Sequence, residues 1–258
     1  MSTAPHTQPI YLRPPIIEAI IGINFADAVK ESILATADRR FAKHYPVHKE
    51  NSHVNVVITA NAGANALVPS GMQEQRITGH KRMSDSMDEI VVLMPNAILL
   101  SHLAPYKGWD HILERMKRDW AMYKRPGTYR PIARVGLRYI NRVDIVVTGN
   151  LVEHELYLNL YPRVPDELGP IVAYMMQTTF HLEKINAQAT ITTTPVESPT
   201  LGHASFIVDI DVYKTADLPM NDKGLMELLQ NMRSEKNRIF EACITQRARQ
   251  EIFDHANP

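Results

Sequence analysis

The chain has 258 residues, 45% of them hydrophobic and 22% charged, enough for one large core or two small ones in an ordinary globular protein. Its 28 lysines and arginines equal its 28 aspartates and glutamates, and a net charge of zero argues against a generally basic nucleic-acid binder. The single cysteine, Cys243, excludes an intrachain disulfide and a cysteine-cluster zinc site and fits a reducing compartment.

The N-terminal segment, with Pro5, Pro9, Pro14 and Pro15, has no cationic stretch followed by an apolar run and reads as an extended lead-in. Residues 16–25 alternate, with Ile17, Ala19, Ile21, Ile23 and Phe25 on one side, which predicts a strand. Val29, Ile33, Ala37 and Phe41 follow at helical spacing within 26–43, and Tyr45-Pro46 ends that helix. Strands are expected at 54–60, 74–82, 89–94 and 97–103, with a Gly/Ala/Asn-rich loop at 61–71. The longest apolar stretch, 90–100, is broken at Pro95-Asn96 and reads as a hairpin, too short to cross a bilayer. With no membrane segment expected, the cytoplasm is the expected location. Residues 109–124 form the clearest helix, with Trp109, Ile112, Leu113, Met116, Trp120 and Tyr123 in one stripe, so Trp109 and Trp120 are expected to be structural.

Pro126-Gly127 punctuates the middle of the chain. A long strand is predicted at 132–147, a helical or mixed segment at 151–160, strands at 171–183, 187–194 and 204–214, and a second long helix at 223–253. The order of strand, helix, three or four strands and long helix thus occurs twice. The expected fold class is α+β, built of duplicated β-α-β(3–4)-α units over 1–126 and 127–258, each an antiparallel sheet covered by a long helix. The halves share no residue-level identity, so an unrepeated α+β domain is the alternative. The two halves are free to pack as one globular unit.

Four segments carry a family resemblance: PPIIEAIIGINF near the start, LAPYKGWDHILERM in the middle, VGLRYINRV after it, and FIVDIDVY before the last helix. Together they resemble a sporadically distributed prokaryotic family of roughly this length whose members carry a GLRYIN-type strand. The match runs from Pro14 to Phe253, and its most specific piece is Gly136 to Arg142. The resemblance implies fold and extent, and no activity, cofactor or catalytic residue.

The pleat of that strand places Arg134, Arg138 and Arg142 on one face and an apolar row, interrupted by Asn141, on the other. A row of guanidinium groups suits phosphates or carboxylates, making Arg134, Arg138, Asn141 and Arg142 candidate ligand-binding residues. Cross-strand ion pairing is the competing explanation. Its best acidic partners are Asp209 and Asp211, which share one face of their strand, and Glu18, which sits among isoleucines. His181 and Asp209 are candidate acid–base groups should the row bind a substrate. His44 and His48 have a metal-like spacing that Tyr45-Pro46 spoils, and Glu50 is their only nearby carboxylate. His102 and His111 flank a turn that can bring them together. No GxGxxG, P-loop or GxSxG pattern occurs, and His154-Glu155 lacks the second histidine of a zincin motif. Cys243 lies on an apolar helix stripe, as an inert thiol does.

Two functional classes follow. The first is a non-catalytic binding protein that recognises a protein partner, a genetically linked one included, with a homo-oligomer as a further option. No cofactor, metal or catalytic residue belongs to it, and neither membrane nor nucleic acid is its expected partner. The alternative is an enzyme or ligand-binding protein acting on a phosphate-bearing small molecule or nucleic acid through the arginine-lined sheet face. The state of the arginines discriminates: all paired favours the first, solvated and pocket-lining favours the second.

Overall fold

The computed structural model describes residues 11–58, 73–124, 130–147, 152–169, 171 and 173–254, the backbone alone at 49–58 and 73–78. The expected 61–71 loop and the Pro126-Gly127 break lie outside the described residues. The strands are β1 (Ile16–Phe25), β2 (Val47–Ile58), β3 (Gln73–Met83), β4 (Glu89–Met94), β5 (Ala97–Leu103), β6 (Ile132–Val146), β7 (Met176–Leu182), β8 (Ala187–Val196) and β9 (His203–Lys214). The helices are α1 (Glu31–Phe41), α2 (Trp109–Tyr123), α3 (Asp222–Cys243) and the short α4 (Gln246–Glu251).

All the strands join one antiparallel sheet in the order β2-β3-β4-β5-β1-β6-β9-β8-β7. This corrects the expectation of duplicated β-α-β(3–4)-α units with a separate sheet under each long helix. The overturning feature is the pairing of β1 with β6, from Ile16 opposite Asn141 to Phe25 opposite Ile132, which runs across the expected boundary. The physical reason is the edge each half would otherwise expose. β1 and β6 each carry a row of apolar residues, and an apolar strand with unpaired N–H and C=O groups is a liability that pairing removes. The middle of the chain departs further from the expected pattern. Of the expected 151–160 segment, the described residues 152–160 contain one helical turn, the 3-10 turn at His154–Leu156, so no described helix there answers to α1.

Period-2 alternation makes the sheet two-faced. Ile21, Ile23, Val91, Leu100, Leu137, Tyr139, Val208 and Ile210 point to one side and share a core with Leu34 and Phe41 of α1, Ile112 and Met116 of α2, and Leu229 and Phe240 of α3. A smaller apolar cluster, Met83, Ile90, Val92, Met94 and Ala97, forms on the opposite face of β3–β5. Trp109 and Trp120 are both buried. The last helix stops earlier than its stripe suggests. Ile244 is extended, and the Thr245 hydroxyl accepts from Ala248 N at 3.2 Å to cap α4. No helix among the described residues is long and apolar enough to cross a membrane.

Candidate functional site

On the face opposite the helices the expected arginine row is present, and every member has a carboxylate. Arg134 Nη2 donates to Asp211 Oδ2 at 2.6 Å. Arg138 Nε and Nη2 donate to Asp209 Oδ1 and Oδ2 at 2.9 and 2.5 Å, a two-pronged pair. Arg142 Nε donates to Asp144 Oδ1 at 3.0 Å. The register explains the slant of these pairs: Arg138 faces Asp211 directly and reaches past it to Asp209. Burial works against the Arg138 charge, but the hydrogen bonds and charge of Asp209 outweigh it and hold the guanidinium above its ordinary pKa. Burial also raises Asp211, against Arg134 and Arg138. Glu18 accepts from Ser101 Oγ and bonds to no arginine among the described residues. Gly136 lies under the Arg134 side chain. A Cβ there would overlap the Arg134 guanidinium, whose Cζ lies 4.7 Å from the Tyr213 ring centroid.

The other sequence-derived candidates do not join this row. Asn141 points to the helix side, where its Nδ2 donates to Val208 O at 2.9 Å. His181 is exposed on edge strand β7 opposite Gln188, whereas Asp209 pairs with Thr192, whose own partner on β7 is Gln177. The proposed acid–base couple is therefore not assembled. Cys243 is buried, and burial pushes its thiol up to about 11.

Under α1 and α2 lies a second ionic network that sequence reading missed. Asp119 is wholly buried and accepts from Tyr45 OH, from Arg118 Nε at 2.9 Å and from Arg115 Nε at 3.3 Å. Arg115 also donates to Ser101 O and Ile90 O, both at 2.6 Å, tying α2 to β4 and β5. Glu89 receives His111 Nε2 at 2.7 Å; burial opposes its charge, and His111 with Arg115 outweighs burial and lowers its pKa. A signal for this network existed. Arg115 and Asp119 fall at helical spacing beside Ile112, Met116 and Trp120, on the side of α2 that packs inward.

A groove of about 1450 Å³ opens where the start of α1, the end of α2 and the start of α3 meet. Its floor is Phe25, Ile33, Ala37 and Trp120, and its rim carries Lys30, Arg40, Lys124, Arg130 and Lys223 against Asp27 and Asp222. Phe25, Trp120 and Tyr123 stack within 6.2 Å of one another, and Arg130 lies over Phe25 at 4.1 Å. Both acids are engaged. Asp222 accepts from Trp120 Nε1 at 2.9 Å and from Lys124, which together lower its pKa, and Asp27 lies 3.4 Å from Arg130. Lys30 and Arg40 have no carboxylate partner among the described residues, and Lys223 reaches only Glu227 at 3.8 Å. The rim therefore presents positive charge over an apolar floor. Three segments distant in sequence build the groove, so no local pattern announces it.

No protein-family model matches this chain, and no curated protein matches it.

Proposed function

We propose that the protein is a non-catalytic binding protein that recognises a protein partner, taking an acidic segment with apolar side chains into the groove beside Trp120. The groove carries this reading. Its volume, about 1450 Å³, exceeds the roughly 300–1,000 Å³ of small-molecule sites, which favours a polymer as occupant. Its apolar floor suits the side chains of an amphipathic segment, and Lys30, Arg40 and Lys223 complement carboxylates on that segment. The alternative, chemistry on a phosphate-bearing ligand at the arginine face, needs uncommitted guanidinium groups, and Arg134, Arg138 and Arg142 are each engaged by an aspartate. A genetically linked product and a second copy of the chain are the partners to test first, in the cytoplasm.

The test compares capture from the native host by the full chain and by a variant carrying Lys30→Glu and Ile33→Asp, followed by calorimetry with the captured protein. Ile33 is 41% exposed, so the polar substitution is tolerated by the fold. Binding weakened more than about tenfold by the variant supports the groove. Equal binding to both forms, or co-purification of a small molecule alone, contradicts it.

A further inference from the structure

We propose that Asp38, His48 and His80 bind a divalent transition-metal ion of the zinc class, with three protein ligands and one coordination position for water. The three side chains come from α1, β2 and β3, and their ligand atoms lie within 4.8 Å of one another. The sheet arranges this. His48 pairs with Arg82 across β2 and β3, and His80, two residues before Arg82, shares its face of β3, the face on which α1 buries Asp38.

Two observations point to a ligand. His48 Nε2 is buried with no hydrogen-bond partner among the described residues, and so is His80 Nδ1. Polar atoms orphaned in this way are uncommon, and a bound ion is one of the few things that satisfies them. The second observation is the support behind His80. Its Nε2 lies 2.7 Å from Glu31 Oε1, and with Nε2–H donating to that carboxylate the buried Nδ1 keeps its lone pair for a ligand. A carboxylate behind a metal-binding imidazole is the usual outer partner.

Asp38 retains ligating capacity. Arg82 donates to its Oδ1 at 2.5 Å and its Oδ2 at 2.6 Å, one bond to each oxygen, and each oxygen has a further lone pair. His48 Nε2 already lies 3.7 Å from Asp38 Oδ2, close to the roughly 3.3 Å between donors of a tetrahedral zinc site. With neutral imidazoles, Asp38, Glu31 and Arg82 sum to one negative charge, which favours a cation. Two imidazoles and one carboxylate suit zinc-class ions, whereas magnesium and calcium prefer oxygen alone. A second cluster, Glu89, His102 and His111, is less hospitable. There His111 Nε2 is already bonded to the cluster's own carboxylate, Glu89, and one buried nitrogen, His102 Nδ1, lacks a partner among the described residues, against two in the first cluster.

The ion would tie α1 to β2 and β3, apart from the groove-lining side of α1. The test strips the full chain with a chelator and titrates it with zinc chloride by calorimetry, using magnesium chloride as control. One zinc ion per chain and no magnesium are expected. His48→Gln and His80→Gln should each weaken zinc binding by at least about tenfold, and Glu31→Gln by about tenfold. His111→Gln should leave binding unchanged. Cobalt bound to the unsubstituted chain should give the intense visible absorption of four coordination, a readout independent of how the variants fold. Absence of stoichiometric zinc binding, a weak six-coordinate cobalt spectrum, or loss on His111→Gln with none on His48→Gln would overturn the assignment.

Discussion

The two ionic networks lie on opposite faces of one sheet, and they differ in how much water reaches them. Under α1 and α2 the Arg115 side chain is 4% exposed and Asp119 is 0%. On the opposite face Arg134, Arg138 and Arg142 are each about one-third exposed, at 32%, 35% and 33%. The same pairing chemistry therefore has different weight. The covered network binds helix to sheet, since Arg115 bonds two strand carbonyls, and losing a member strands a charge away from water. The open ladder aligns neighbouring strands with charges that water can still serve.

Breaking each network should measure that difference. Asp119→Ala should destabilise by about 3–5 kcal/mol in denaturant unfolding, because buried Arg115 and Tyr45 lose their hydrogen-bonded carboxylate and only the more distant Glu89, 3.6 Å away, remains for Arg115. Arg138→Ala should cost less, about 1–2 kcal/mol by the same measurement, because Asp209 remains partly hydrated. Equal losses at the two sites would abolish the distinction.

Lys236 sharpens the comparison, as a buried charge with no close carboxylate among its described contacts. It is 6% exposed, and its Nζ lies 3.9 Å from the Tyr139 ring centroid. Burial, helped by Arg233, pulls its pKa down to about 7, below the roughly 10.4 of an unfolded lysine. Between those values the unfolded chain holds more protons, so the contribution of Lys236 to stability rises with pH from about 7 to about 10.4. Lys236→Met should therefore stabilise at pH 7, by about 1 kcal/mol or more, with the gain shrinking toward pH 10. A gain independent of pH would mean that packing, and not charge, is responsible.

Individual elements of this architecture were legible in the residues. The alternation in β1 and β6 and the stripe in α2 located those elements, and the period of two placed Arg138 on the same face as Asp209. The union of both halves into one sheet was not legible, because the β1–β6 pairing is a contact over more than a hundred residues that no local pattern encodes. The spacing of His44 and His48 was spoiled by Tyr45-Pro46, and the sequence offered no other neighbours for His48. In the structure it lies close to His80 of the neighbouring strand and to Asp38 of the helix. Arg115 and Asp119 were hidden by their charge. Residues of that type are expected outside, and here hydrogen bonding offsets their burial.

In the function proposed above, the helix-side groove receives the partner while the arginine ladder holds the sheet together. Hydrogen exchange of the full chain with and without the captured partner tests it most directly, because protection maps the contact onto the backbone. Slowed exchange at 27–40, 120–124 and 219–225, with β8 and β9 unchanged, is the predicted result. Protection concentrated on β6, β8 and β9 around Arg134, Arg138 and Arg142, with the groove segments unaffected, would contradict it.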